Sequence, residues 1–503
     1  METAIQTSFH RYHINDTHQV LTPPSKTLKY YDCYGGFQCA RLQTNTTVAV
    51  AIIKLPATVS EDDATFGGSV LISPGGPGYS GTDLLLRSGS RFQSLLAGER
   101  NYEIIGFDPR GVNLSTPHGD CYKGDEISRK LDQERNTGLS PITEDFNALN
   151  YHYASALGKS ELCEVDGVDS IWGYLNTASV ARDVIEIIDR IDDLRWQNRN
   201  STKPANAPKT RLQYIGISYG SFLGNTLASM FPERVGRIMV DGIVNAEDYT
   251  NVTWQKNLND SEAVLDYFYQ VCFDSGEGCP IRLSSDKEAA DIKSRVEAFL
   301  NTLDIRPIPV AHGGKPLSPA NTLRSLRCCR RTPLIPHVAY GVVCSDAVDG
   351  VAYRNLSVSD ELVHIIDRQA PTTGVVWGGR VIACAGRKIR PPFAFTGPFG
   401  SPAVNVSDPN TPETPLLIIS SRFDPATPVA NAFTLQKQHV GSGVVIQEST
   451  GHGVTGAGIN SCTANTIREF FLSGKVPLNL TICQAECIPT IPAERSNCSA
   501  PLW

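Results

Sequence analysis

The chain has 503 residues, 41% of them hydrophobic and 19% charged, enough for one large core and an accessory unit. Its net charge of −7 is spread without a long run of one sign, which excludes the electrostatic footprint expected of a nucleic-acid or anionic-membrane partner. No stretch approaches the roughly 18 consecutive apolar residues of a spanning helix, so no membrane span is expected.

The first residues, METAIQTSFHRYHIND, lack a basic start followed by an apolar run, so no secretory leader is legible; the expectation is that one was removed and Met1 added. From Val48, the runs VAVAIIKLP, SVLISPGGPG and YEIIGFDPRG are β-branched stretches closed by glycine or proline, and they predict strands of one sheet joined by turns. LNTASVARDVIEIIDRIDDL carries Val180, Val184, Ile187, Ile188 and Ile191 at helical spacing, which predicts an amphipathic helix on that sheet with Asp183 on or near its polar face. RLQYIGI predicts the next strand, a helix opens around Ser221, and VGRIMVDG is a strand again. This alternation implies a mostly parallel, doubly wound α/β sheet with helices on both faces.

The rhythm breaks between about Asn245 and Asn405. SEAVLDYFYQVC and DKEAADIKSRVEAFLNTL read as helices, RCCRRTPLIP follows, and no apolar strand series is visible. Residues 1–244 and 405–503 are therefore expected to form the two parts of the core, with residues 245–404 inserted over the sheet. The sheet pattern returns with TPLLIISSRFDPATP, a helix around ANAFTLQKQ, the strand GVVIQE and the loop STGHGVTG.

Fourteen cysteines and ten Asn-x-Ser/Thr acceptors, from Asn15 to Asn497, point to an oxidising, extracellular compartment. The closest cysteine spacings, Cys328 with Cys329 and Cys483 with Cys487, are not the paired C-x2-C sets of structural zinc, so neither metal nor cofactor is expected.

YIGISYGSFLG, between a predicted strand and a predicted helix, holds G-x-S-x-G. Gly216 and Gly220 leave out side chains where a strand turns sharply into a helix, and Ser218 is left exposed at the turn. A serine hydroxyl needs a base to become nucleophilic and donors for the oxyanion that follows. The donors expected are the backbone amides of Tyr219 and, from the loop SPGGPG, Gly76. Among ten histidines, His452 stands in the glycine-flanked loop GHG directly after the last predicted strand, and it is the candidate base. Asp424, ending LLIISSRFD, is the candidate acid; Asp241, ending RIMVD, competes, and the chain order serine, aspartate, histidine favours Asp424.

With these residues assembled, the chain resembles the α/β-hydrolases of the proline iminopeptidase and tripeptidyl aminopeptidase type, in particular the secreted branch with its own C-terminal homology region. SPGGPGYSG, GFDPRGVNLSTP, GISYGSFLGNTLASMFPERVGRIMVDG, VCFDSGEGCP, RFDPATPVANA and GHGVTGAGINSC carry the resemblance across nearly the whole chain. It implies a triad of Ser218, Asp424 and His452, oxyanion donors at Gly76 and Tyr219, and a largely helical cap formed by the insertion. It also implies disulfides Cys33–Cys39, Cys272–Cys279 and Cys344–Cys384. Such peptidases hold a substrate's free amino group with cap carboxylates, and Glu262, Asp266, Asp274 and Glu277 have no clear match to those positions. The expected function is a serine hydrolase that cleaves short pieces from peptide N-termini. The alternative is an esterase, lactonase or cyclising tailoring enzyme on a small metabolite, and a catalytically silent hydrolase fold used for binding is a third class.

Overall fold

The computed structural model of the chain describes residues 22–44, 48–137, 142–143, 145–306, 308, 337–351, 354–486 and 502. Ten strands make one sheet: β1 (Tyr31–Cys33), β2 (Phe37–Gln43), β3 (Ala49–Leu55), β4 (Phe66–Ser73), β5 (Asn101–Phe107), β6 (Leu212–Ile217), β7 (Val235–Asp241), β8 (Leu417–Phe423), β9 (Gly443–Thr450) and β10 (Thr481–Cys483). Their order is β1-β2-β3-β5-β4-β6-β7-β8-β9-β10. Pairings from β1 through β3 to β5 are antiparallel, and all pairings from β5 across to β10 are parallel.

The strands β3 to β9 lie where the β-branched runs predict them. The link between β4 and β5 differs from the expected turn: it is the helix Gly81–Leu96, capped by Ser80. Parallel neighbours require a crossover of a dozen or more residues, so a turn could not have joined them. Side chains alternate across the sheet with period two. Ile72, Ile104, Ile217, Met239, Ile419 and Val445 pack under the helices Gly81–Leu96 and Ser461–Ser473. Leu71, Ile105, Tyr214, Val240, Ile418 and Ile446 pack under Thr177–Asn198 and Tyr219–Met230.

Asp183 corrects the sequence reading. It is 2% exposed and takes two hydrogen bonds from Arg110 of GFDPRG, Nε to Oδ2 at 2.5 Å and Nη2 to Oδ1 at 2.8 Å. Helical spacing alone put it near solvent, but the loop after β5 packs over that side of the helix. The bidentate guanidinium offsets the desolvation of the carboxylate.

Between β7 and β8 the described residues form helices and no strand of the sheet, chiefly Ser261–Asp274, Ala289–Ile305, His337–Asp346, Leu356–Gln369 and Gly374–Val381. RCCRRTPLIP lies outside the described residues. The disulfides Cys33–Cys39, Cys272–Cys279 and Cys344–Cys384 are present, as the resemblance implies. Cys121–Cys163 and Cys462–Cys483 join them. No helix among the described residues is long and apolar enough to cross a membrane.

Candidate active site

Ser218 sits between the end of β6 and the start of the helix Tyr219–Met230 with φ 58° and ψ −121°, a conformation a non-glycine residue holds only under strain. Its neighbours fix it there. The Ser218 amide donates to the Asp241 carbonyl at 2.9 Å, and the Ser221 amide and hydroxyl donate to the Ser218 carbonyl at 2.8 and 2.6 Å. A Cβ on Gly216 would run into the Gly220 carbonyl, and one on Gly220 into the Ser73 carbonyl, so the turn closes only with glycine at both places.

The sheet brings Asp424 and His452, from the ends of β8 and β9, to the same edge. His452 Nε2 lies 2.8 Å from Ser218 Oγ, and His452 Nδ1 lies 3.0 and 3.2 Å from the Asp424 carboxylate oxygens. With Nδ1 facing a carboxylate, the proton belongs on Nδ1, which leaves Nε2 to accept from the serine. Asp424 is fully buried and also accepts from the amides of Ala426, Thr427 and Gly453 at 2.9, 2.8 and 2.7 Å, and from the Thr427 hydroxyl at 2.7 Å.

Burial pushes the Asp424 pKa up, but the His452 charge and these hydrogen bonds prevail and hold it below the ordinary carboxylate value. Burial pulls His452 down; the charge and hydrogen bond of Asp424, with Asp241 behind, prevail and hold it above the ordinary imidazole value.

Asp241, the competing acid, does other work. Its carboxylate accepts from the Val454 amide, the Thr455 amide and the Thr455 hydroxyl at 2.8, 2.8 and 2.6 Å. It thereby seats the short helix Gly453–Ala457 that follows His452.

The loop after β4 passes against the serine. Gly75 is in van der Waals contact range of Ser218, and Gly76 beside it has φ 114°, which glycine alone adopts without strain. Tyr219 is the first residue of its helix, so its amide has no acceptor within that helix.

Sequence reasoning passed over two groups. Thr427 bridges the dyad, its hydroxyl 2.7 Å from Asp424 and 3.1 Å from His452 Nδ1; its place three residues after the acid, where an Asx-type turn closes, was the available signal. Asp346, in the insertion, is 1% exposed and accepts from the Thr177 amide at 2.7 Å, the Thr177 hydroxyl at 2.5 Å and the Tyr249 hydroxyl at 3.1 Å. The Thr177 hydroxyl in turn meets the Tyr219 hydroxyl at 2.5 Å. Burial pushes Asp346 up to about 7. Nothing in the local sequence pairs residues so far apart.

Three of the four carboxylates raised above are engaged by neighbouring side chains. Glu262 accepts from Thr372, Asp266 pairs with Lys293 at 2.7 Å, and Asp274 accepts from Gln270. Glu277 lies in the turn spanned by the Cys272–Cys279 disulfide. No cluster of metal-ligating side chains occurs among the described residues.

A mostly parallel sheet with a strained serine at a strand-to-helix turn and a histidine beyond a late strand defines an α/β-hydrolase. Family models agree: "alpha/beta hydrolase fold" matches residues 68–278, and "TAP-like protein" matches residues 370–483. Among curated relatives, the chain is 26% identical over 498 residues to "Serine protease Hip1" of Mycobacterium tuberculosis, covering 88% of this chain and 86% of that one. It is 24% identical over 456 residues to "Tripeptidyl aminopeptidase" of Streptomyces lividans, covering 84% and 78%. It is also 24% identical over 519 residues to "Carboxylesterase B" of Mycobacterium tuberculosis, covering 93% and 87%. The chain has the α/β-hydrolase fold, its C-terminal part is similar to the TAP-like proteins, and it is a serine hydrolase.

Proposed function

We propose that Ser218, His452 and Asp424 are a catalytic triad and that the enzyme is an exopeptidase acting on peptide N-termini. The observation that supports it most is one imidazole within hydrogen-bond distance of both the serine oxygen and the buried carboxylate. In this reading Ser218 Oγ attacks the scissile carbonyl while its proton passes to His452 Nε2. Asp424 holds the Nδ1 proton and balances the imidazolium. The oxyanion takes hydrogen bonds from the Tyr219 and Gly76 amides. Collapse breaks the C–N bond as His452 returns the proton to the leaving amine. Water, deprotonated by the same nitrogen, then releases the acyl group and restores the serine.

Residues 245–404 act as a cap that encloses the substrate; the Tyr267 ring, stacked on Phe423 with centroids 4.2 Å apart, sits beside the residue preceding Asp424. Five disulfides among the described residues support folding in an oxidising, extracellular compartment. The names of two relatives, a serine protease and a tripeptidyl aminopeptidase, favour peptides. A third, a carboxylesterase, favours the second reading, an esterase-type activity on a small metabolite.

Peptide anilides with free and blocked N-termini, compared with aryl esters, separate the two. Loss of turnover on blocking supports the exopeptidase. Indifference to blocking, with faster ester turnover, replaces it with the esterase.

A further inference from the structure

The guanidinium of Arg380 lies 4.3 Å from the centroid of the Trp377 ring and 5.5 Å from that of Trp254, and the two indoles are 5.6 Å apart. Among the described residues it has no carboxylate partner. The groups whose charge would favour it are the phenols of Tyr79 and Tyr340, and no carboxylate is among them. The indole N–H groups of Trp254 and Trp377 likewise have no hydrogen-bond partner among the described residues, although these side chains are only 4% and 6% exposed. One cation and two buried donors are thus gathered with no acceptor among the described residues. Leaving a buried donor unmatched is costly, and leaving a charge so costs more. Burial accordingly pulls the Arg380 guanidinium below its ordinary value.

Backbone strain marks the same place. Trp254 has φ 56° and Val252 φ 51°, where bulky and β-branched residues are outliers. Such strain persists where surrounding structure holds it, often at ligand sites.

The cluster borders the nucleophile loop. Tyr79 follows the stretch whose Gly75 touches Ser218. Gly78 packs against Val338 and Ala339 of the helix His337–Asp346, and the next residue of that helix is Tyr340. Both phenols within electrostatic range of Arg380 therefore flank the contact between this loop and the cap.

We propose that Arg380, with the indole N–H groups of Trp254 and Trp377, is a carboxylate subsite of the substrate pocket, and that the substrate is a short peptide whose own carboxylate enters it. The Trp377 ring lies against the guanidinium, and a planar carboxylate can meet the edge of a guanidinium with two parallel hydrogen bonds. One carboxylate charge also balances one guanidinium. The peptide part of this inference rests on the exopeptidase reading; the subsite itself does not. The carboxylate comes either from the peptide's C-terminus or from an acidic side chain.

Calorimetry on the Ser218→Ala protein at pH 7 tests it with three ligands: a neutral tripeptide acid, its C-terminal amide, and that amide carrying one glutamate. The acid or the glutamate amide binds at least about tenfold tighter than the neutral amide, and which of the two does so identifies the source of the carboxylate. Arg380→Gln in the same background removes that difference and leaves the neutral amide's affinity within about twofold. Equal binding of all three ligands, or no binding by any, overturns the subsite, as does a preference that survives Arg380→Gln. If Arg380→Gln does not fold, the comparison of ligands on the Arg380-containing protein still decides. Aryl esters with and without a carboxylate, turned over by the enzyme with Ser218 intact, separate this inference from the peptide reading. A preference for the acidic ester without peptide cleavage keeps the subsite and removes the peptide. Peptide cleavage without any acid preference keeps the peptide reading and removes the subsite.

Discussion

Gly75 and Ser218 approach so closely that the loop has no room for a side chain: a Cβ on Gly75 would stand 2.6 Å from Ser218 Cβ and 2.7 Å from its Oγ. The loop and Ser218 therefore pack as one unit, held on β4 and β6, which pair directly through Ser73 and Gly216.

Gly75→Ala displaces the serine from His452 while leaving the core intact. A misplacement near 1 Å costs about 100-fold in rate, so kcat/KM falls by about that factor with an unchanged far-ultraviolet spectrum. Kinetics beside circular dichroism check this; activity within a few-fold of the parent refutes it.

The two aspartates at the sheet edge separate into chemistry and stability. Asp424→Asn presents the wrong partner to Nδ1 and lowers kcat by about 10⁴. Asp241→Asn disturbs the seat of the helix Gly453–Ala457 and lowers unfolding free energy by about 1–3 kcal/mol, with a much smaller loss of kcat. Steady-state kinetics and urea denaturation on both variants check the division, and reversed losses would exchange the two roles.

The pH dependence follows from the raised His452 and the lowered Asp424. The base must be neutral to accept the serine proton, so kcat/KM rises with pH through an apparent pKa above the ordinary value of about 6.5. The stability contributions run oppositely. His452 contributes below its unfolded pKa, and this is lost as pH rises through the raised folded value. Asp424 contributes above its unfolded pKa, and this is lost as pH falls through the lowered folded value. A rate profile with an acid limb below about 6 contradicts the imidazole–carboxylate pairing.

Asp346 reaches the nucleophile's neighbour through Thr177 and Tyr219. Asp346→Asn weakens that chain, and kcat falls about tenfold, a fraction of what loss of an oxyanion donor costs. KM changes by less than about twofold, because the effect falls on the transition state. Tyr219→Phe gives a similar loss, and the double variant little more, because residues in one hydrogen-bond network are not additive. A lowered melting temperature with kcat unchanged would leave Asp346 a purely structural role.

Much of this was readable because its causes are local. The runs LIIS and VVIQ fix β8 and β9, and G-x-S-x-G between strand and helix encodes its own geometry, so Ser218, Asp424 and His452 could be named as candidates from neighbouring residues. The helix Gly81–Leu96 was missed because GTDLLLRSGSRFQSLL mixes glycine and serine into its apolar stripe, and the crossover is imposed by the parallel pairing of β4 with β5. Asp183 was misplaced because the cation that buries it, Arg110, lies 73 residues earlier in the chain. Cys121–Cys163, Asp346 with Thr177, and Trp254 with Arg380 are likewise meetings of distant segments, which no window of sequence encodes.

The most direct measurement is fluorophosphonate labelling of the folded enzyme, read by intact mass and peptide mapping. The account predicts a single adduct on Ser218, absent in Ser218→Ala and slowed about 10³-fold or more in His452→Ala. Labelling at a different serine, or an unchanged rate without the imidazole, would contradict it.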